Sequence, residues 1–109
     1  LGKLTALHLN YNNLARLPDE IWELAELGRL DLGRNQLMEV PPVPRDLPNL
    51  GSLNIGHNSL TQLPSGIRHL ISLRRLNVSR NQLGAIPPEI GDLTNLKHLD
   101  FSRNRLSPI

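Results

Sequence analysis

At 109 residues, with 39% hydrophobic but only 3% aromatic content, the chain cannot fill one large central core, so its apolar side chains must be spread through thin layers. Twelve basic residues against ten acidic ones leave a near-neutral +2, and no apolar run approaches the ~20 residues that cross a bilayer. There is no cysteine, which excludes a thiol nucleophile and favours a reducing compartment.

The first element is the phrase Leu4, Leu7, Leu9, Asn12, Leu14, spaced as leucine-x-x-leucine-x-apolar-x-x-asparagine-x-leucine. It returns as Leu27, Leu30, Leu32, Asn35, Leu37 and as Leu50, Leu53, Ile55, Asn58, Leu60. Two more copies follow, Leu73, Leu76, Val78, Asn81, Leu83 and Leu96, Leu99, Phe101, Asn104, Leu106, each 23 residues after the last. A fixed period of this length predicts a solenoid with one coil per repeat. Counting Leu4 as place one, the alternation at places four and six is that of a short strand with one buried face, so Leu7 and Leu9 point inward and His8 outward. Successive strands then stack as a parallel sheet. Behind it the chain must turn inside the core, where no water reaches its N–H and C=O groups, and an asparagine amide offers a donor and an acceptor at once. Asn12, Asn35, Asn58, Asn81 and Asn104 are therefore expected to staple coil to coil.

The other half of each coil also repeats. Leu17, Pro18, Ile21 and Leu24 come back as Leu63, Pro64, Ile67 and Leu70, then as Ile86, Pro87, Ile90 and Leu93. Apolar spacing of three and four after a proline predicts a short helical or 3₁₀ turn on the convex side, with Pro18 near its start and Asp19 and Glu20 in its first turn. The second copy differs, because Val40, Pro41, Pro42, Val43 and Pro44 put proline where isoleucine stands elsewhere; an extended, helix-free segment is expected there. Those residues also spell proline-x-x-proline, but Val40 and Leu47 fall at core positions and clamp both ends, so the stretch reads as a variant of the coil and not as a free ligand strand. Trp22, where other copies have Arg45, Arg68 and Gly91, is expected to lie flat over its coil. Leu1 shares the register of Leu24 and Ile109 that of Leu17. Residues 1–109 are thus expected to be one domain cut from a longer array, about four full repeats with partial ones at both ends and no capping units.

Places two, three, five, seven and eight of each copy vary, and they are expected to line the exposed concave sheet. Seven basic side chains fall there, Arg29, Arg34, Arg74, Arg75, Arg80, Lys97 and Arg103, against two acidic ones, Asp31 and Asp100. This face therefore carries +5, and the five basic and eight acidic residues elsewhere carry −3. The eighth column, Tyr11, Arg34, His57, Arg80 and Arg103, is expected to form a positive ridge at one margin, with rungs ~4.8 Å apart. The fifth column, His8, Asp31, Asn54, Asn77 and Asp100, supplies acceptors that orient the arginines or meet a partner. The plainer reading is that the arginines keep an exposed sheet soluble. Charge segregation favours a recognition surface for an acidic or phosphorylated patch, because mixed signs serve solubility equally well and guanidinium binds carboxylate and phosphate in bidentate fashion.

Other chemistries find little to work with. Only Tyr11 is placed for base stacking, so nucleic acid is not an expected partner. His8, His57, His69 and His98 are scattered over three coils without metal-ligand spacing. His98 with Asp100 lacks a nucleophile or metal to complete a mechanism, so no enzyme, metal or cofactor is expected within these residues. Asn77, Val78 and Ser79 match the N-glycosylation pattern, which an ordinary polar residue on the sheet face also explains.

With its leucine-proline-x-x-isoleucine-x-x-leucine tail, the 23-residue unit resembles the typical intracellular leucine-rich repeats found in Ras-pathway scaffolds, Scribble-like polarity proteins, Roco GTPases and bacterial effectors. The resemblance implies an α/β solenoid, a right-handed horseshoe with a parallel concave sheet and short helical, 3₁₀ or extended convex segments. It also implies a cytoplasmic, non-catalytic scaffold that binds a protein partner through the concave face. It leaves open a regulatory or substrate-selecting arm of a larger enzyme, such as a Roco GTPase/kinase or an effector ubiquitin ligase, and an extracellular receptor segment. Ile86, Pro87, Pro88, Glu89, Ile90 and Gly91 come close to plant receptor ectodomains, although their unit is usually 24 residues long. No oligomeric state follows from the sequence.

Overall fold

A computed structural model describes residues 3–45 and 49–106. Five strands of three residues each, β1 (Ala6–His8), β2 (Arg29–Asp31), β3 (Ser52–Asn54), β4 (Arg75–Asn77) and β5 (His98–Asp100), form one parallel sheet in chain order. Their register is the repeat itself, with Leu7, Leu30, Leu53, Leu76 and Leu99 side by side across the sheet. Leu30, Leu53 and Leu76 point into the core and are each 1% exposed, as the period-two pattern predicts. Leu99 and Leu106 in the fifth coil are exposed, because a coil's leucines are covered only by the coils on either side.

The asparagine ladder is present with both kinds of bond. Asn58 Oδ1 accepts the Leu37 N–H at 3.0 Å, while its Nδ2 donates to the Leu32 carbonyl of the preceding coil and to Ile55 and Gly56 of its own, all at 3.1 Å. Asn35, Asn81 and Asn104 repeat the scheme. Asn12 departs from expectation: it is exposed and bonds only to Leu9 and Asn10 of its own coil. In the other four copies the inter-coil bonds reach back 21 and 26 positions, farther than Asn12 stands from Leu1. A second, shorter ladder was not anticipated, in which Asn49 donates to the Ala25 carbonyl at 3.0 Å and Asn95 to that of Ile71 at 2.8 Å.

On the opposite side, 3₁₀ turns span Asp19–Glu23, Ile67–His69 and Pro88–Asp92. Pro18 and Pro87 stand extended just before two of them, with Asp19 and Glu20 in the first turn where the N-terminal partial charge favours carboxylates. The proline-rich coil contains no helix over 40–45, and Val40, Pro41 and Val43 are all buried in it. The expected core positions Leu1, Leu47 and Ile109 lie outside the described residues.

Trp22 is buried, and it does more than cover its coil. Its Nε1–H donates to the Pro41 carbonyl at 2.9 Å, tying the first convex turn to the helix-free segment of the second coil. Two coils also meet at Gly66, whose φ of +83° and place against the Val43 carbonyl leave no room for a Cβ. His69 Nδ1 lies 3.0 Å from that same oxygen, and since a carbonyl only accepts, this nitrogen carries the proton.

Candidate functional site

The sheet face is built by the backbone before any side chain is considered. Beyond each strand the ladder runs on: Leu9 N–H donates to the Asp31 carbonyl and Tyr11 N–H to that of Gly33, and the same pair of bonds recurs as far as Val78 and Arg80. Place eight is therefore held against the neighbouring coil. All five of its residues, Tyr11, Arg34, His57, Arg80 and Arg103, have φ between 54° and 59°. This left-handed turn carries the following asparagine into the core, and it costs a non-glycine residue about 1–2 kcal/mol. Glycine would adopt it most readily, yet every copy carries a long or aromatic side chain instead.

Tyr11, Arg34, Arg80 and Arg103 are exposed and His57 is half-buried, so the expected ridge exists. Arg34 Cζ sits 5.1 Å from the Tyr11 ring centroid, close enough for a cation–π contact that steadies both. Loss of water around His57, with the charges of Arg34 and Arg80 on either side, lowers its pKa below the usual 6.5. In the free protein at neutral pH the central rung is thus an uncharged imidazole between two guanidinium groups.

The fifth column does not orient the arginines. Asp31 Oδ1 accepts the Gly33 N–H at 3.0 Å, Asn54 Oδ1 that of Gly56 at 2.9 Å, and Asn77 and Asp100 each accept both the N–H and the hydroxyl of the serine two residues on. These side chains brace the turn. Among the described residues none is bonded to an arginine; Asp31 Oδ2 stands 4.0 Å from His8 Nδ1 instead. The Ser102 hydroxyl, and after it the Ser102 N–H, hold the Asp100 carboxyl below its ordinary pKa. Place seven was expected to be exposed, but Gly33, Gly56 and Ser79 are buried. The brace folds over them, and the Asn54 amide nitrogen lies 3.1 Å from where a Cβ on Gly33 would stand.

Shallow hollows group most of the anticipated residues. One of about 270 Å³ joins Tyr11, Asp31, Arg34, Asn54, His57 and Asn77 between columns five and eight. A second, of about 260 Å³, joins Arg29, Asp31, Asn54, Arg75 and Asn77 on the other flank. Arg75 and Asn77 meet Lys97 and Asp100 in a third. Arg74, Arg80 and Arg103 are exposed but line none of the three. Among the described residues no group of histidine and carboxylate side chains is placed to hold a metal ion, and no helix is long and apolar enough to cross a membrane.

A family model described as a leucine-rich repeat region matches residues 1–107. Among solved structures, the chain is similar to an internalin of Listeria monocytogenes, with 32% identity over 99% of this chain and a TM-score of 0.86. It is also similar to the ectodomain of the Arabidopsis thaliana membrane receptor kinase GASSHO1/SCHENGEN3, solved in complex with Casparian strip integrity factor 2, at 30% identity over 93% of this chain and a TM-score of 0.77. A plant peptide hormone receptor, RGFR1, in complex with RGF2 matches at 28% identity over 94% of the chain with a TM-score of 0.79. The chain spans 31%, 13% and 17% of these three proteins, under a third of each. No curated protein sequence matches it.

Proposed function

The chain belongs to the leucine-rich-repeat family, and from that premise we propose that it is a non-catalytic protein-interaction module whose basic sheet face receives an acidic or phosphorylated segment of a protein partner. One observation carries this reading: place eight accepts left-handed strain in all five coils and holds Tyr, Arg, His, Arg and Arg there. Strained backbone that presents specific side chains is characteristic of binding sites, and solubility does not require it. The charge balance of +5 on this face against −3 elsewhere points the same way. The absence of cysteine fits a cytoplasmic scaffold. A second setting, a segment of an extracellular receptor, is favoured by the likeness to a plant receptor-kinase ectodomain and to a plant peptide hormone receptor, each solved in a complex.

The test is charge reversal read by fluorescence anisotropy with a labelled pentaglutamate peptide and its phosphoserine counterpart. Arg80→Glu with Arg103→Glu should weaken binding by at least about tenfold and leave the melting temperature in place. The convex pair Arg45→Glu with Arg68→Glu, also exposed, should change it little. Equal losses from the two pairs would assign binding to bulk charge and reject the face.

A further inference from the structure

Charge is not uniform along the face. Column five reads Asp31, Asn54, Asn77, Asp100 over the last four coils, so the carboxylates stand at the borders and two neutral amides occupy the middle. Backbone N–H groups can only donate, so the Asn54 and Asn77 atoms that meet the N–H of Gly56 and Ser79 are the amide oxygens. The nitrogens are the opposite prongs, and neither has a partner among the described residues. Beside them on one flank are His57 and Arg80, and on the other is Arg75, which shares β4 with Asn77. Five residues of nearly extended chain put the backbones of Arg75 and Arg80 at most about 16 Å apart, a span that two arginine side chains turned toward a bound anion can narrow.

We propose that this centre of the face, on β3 and β4, is a phosphoryl-binding site, with Asn54 and Asn77 donating from below and Arg75, His57 and Arg80 from the sides. The inference rests on the recognition reading and narrows its ligand to a phosphate ester. A single bidentate arginine satisfies a planar carboxylate, whereas donors converging from three directions suit a group with three outer oxygens and nearly two charges. Asp31 and Asp100 stand on β2 and β5, the strands flanking the site, and bar an anion from those two positions, although Asp31 also lines the hollow shared by Asn54 and Asn77. Asp31 is partly occupied by Gly33 and by His8 across the coil. The hollow beside the amides is floored by Gly33 and Gly56, which project no side chain into it.

The experiment is an NMR titration of the isotope-labelled chain with inorganic phosphate and, at equal ionic strength, with acetate. Phosphate should produce saturating shifts in the side-chain amides of Asn54 and Asn77 and raise the pKa of His57, while acetate should give shifts that do not saturate. Arg80→Ala should weaken the phosphate response by about tenfold; Arg45→Ala should leave it unchanged. Shifts spread evenly over all basic residues, or acetate acting as well as phosphate, would overturn the proposal. If the pentaglutamate peptide binds through Arg80 and Arg103 while phosphate leaves Asn54 and Asn77 undisturbed, this site is wrong and the recognition reading stands. If neither probe binds the face, both are rejected.

Discussion

Replacing Asn58 by leucine, which keeps the branched heavy-atom skeleton and removes every polar bond, tests what holds one coil to the next. Asn58 Oδ1 is the recorded acceptor for the N–H of Leu37, a residue with 0% exposure, so the substitution leaves that donor buried and unpaired. Such a group costs about 1–3 kcal/mol. The three carbonyls fare better, since Leu32 keeps Asn35, Ile55 keeps Asn81 and Gly56 keeps the Arg34 N–H. Each loses a second bond, at about 0.5 kcal/mol apiece on the low side of typical values. The whole effect is about 2.5–4.5 kcal/mol, a large share of the 5–15 kcal/mol typical of folded domains. Asn12→Leu removes only two exposed bonds within its own coil and should cost under about 1 kcal/mol. Urea unfolding followed by circular dichroism gives both numbers, and Trp22 fluorescence reports separately on the junction of coils one and two. Equal costs for the two variants, or a loss below about 1 kcal/mol at Asn58, would refute the argument that the ladder carries inter-coil stability.

Gly66→Ala should destabilise by about 2 kcal/mol or more, since the new Cβ meets the Val43 carbonyl and φ is +83°; thermal unfolding measures it. Arg80→Gly should do the reverse, gaining about 0.5–1 kcal/mol by releasing left-handed strain net of glycine's entropy, and the same variant should bind the phosphoserine peptide more weakly. The folded pKa of His57 lies below 6.5, so as pH falls the unfolded chain takes up this proton first. Its contribution to stability therefore declines from above pH 6.5 down to the folded value and levels off beneath it, and His57→Gln should flatten melting temperature against pH across that window. Asp100 acts in the same direction at lower pH: its lowered pKa supplies stability above the unfolded value that disappears as pH falls through the folded one.

The architecture was readable because each asparagine and each inward leucine does the same task at the same step, and a period repeated five times survives any local accident of propensity. The helix-free proline coil was readable for a related reason, since Pro44 stands where Ile21, Ile67 and Ile90 donate the N–H that closes the 3₁₀ turn, and a proline has none to give. The left-handed backbone of place eight was not, because Tyr, Arg and His carry no sign of positive φ as glycine does. The bracing role of column five had a faint signal in the acidic or amide residue two positions before Gly33, Gly56, Ser79 and Ser102, a local side-chain-to-backbone pattern. Strand alternation, which ends at place five, says only that these side chains point outward and does not say that they fold back onto the turn. Trp22 meeting Pro41 joins residues whose relation depends on how far one coil leans over the next, and no spacing rule encodes that.

Amide hydrogen exchange on a complex with an acidic or phosphorylated partner segment measures the main claim most directly. Binding should slow exchange at places six to eight of the second to fifth coils, around Arg34, His57, Arg80 and Arg103, and leave the convex 3₁₀ turns Ile67–His69 and Pro88–Asp92 unchanged. Protection confined to those convex turns, with the ridge exchanging as in the free chain, would contradict it.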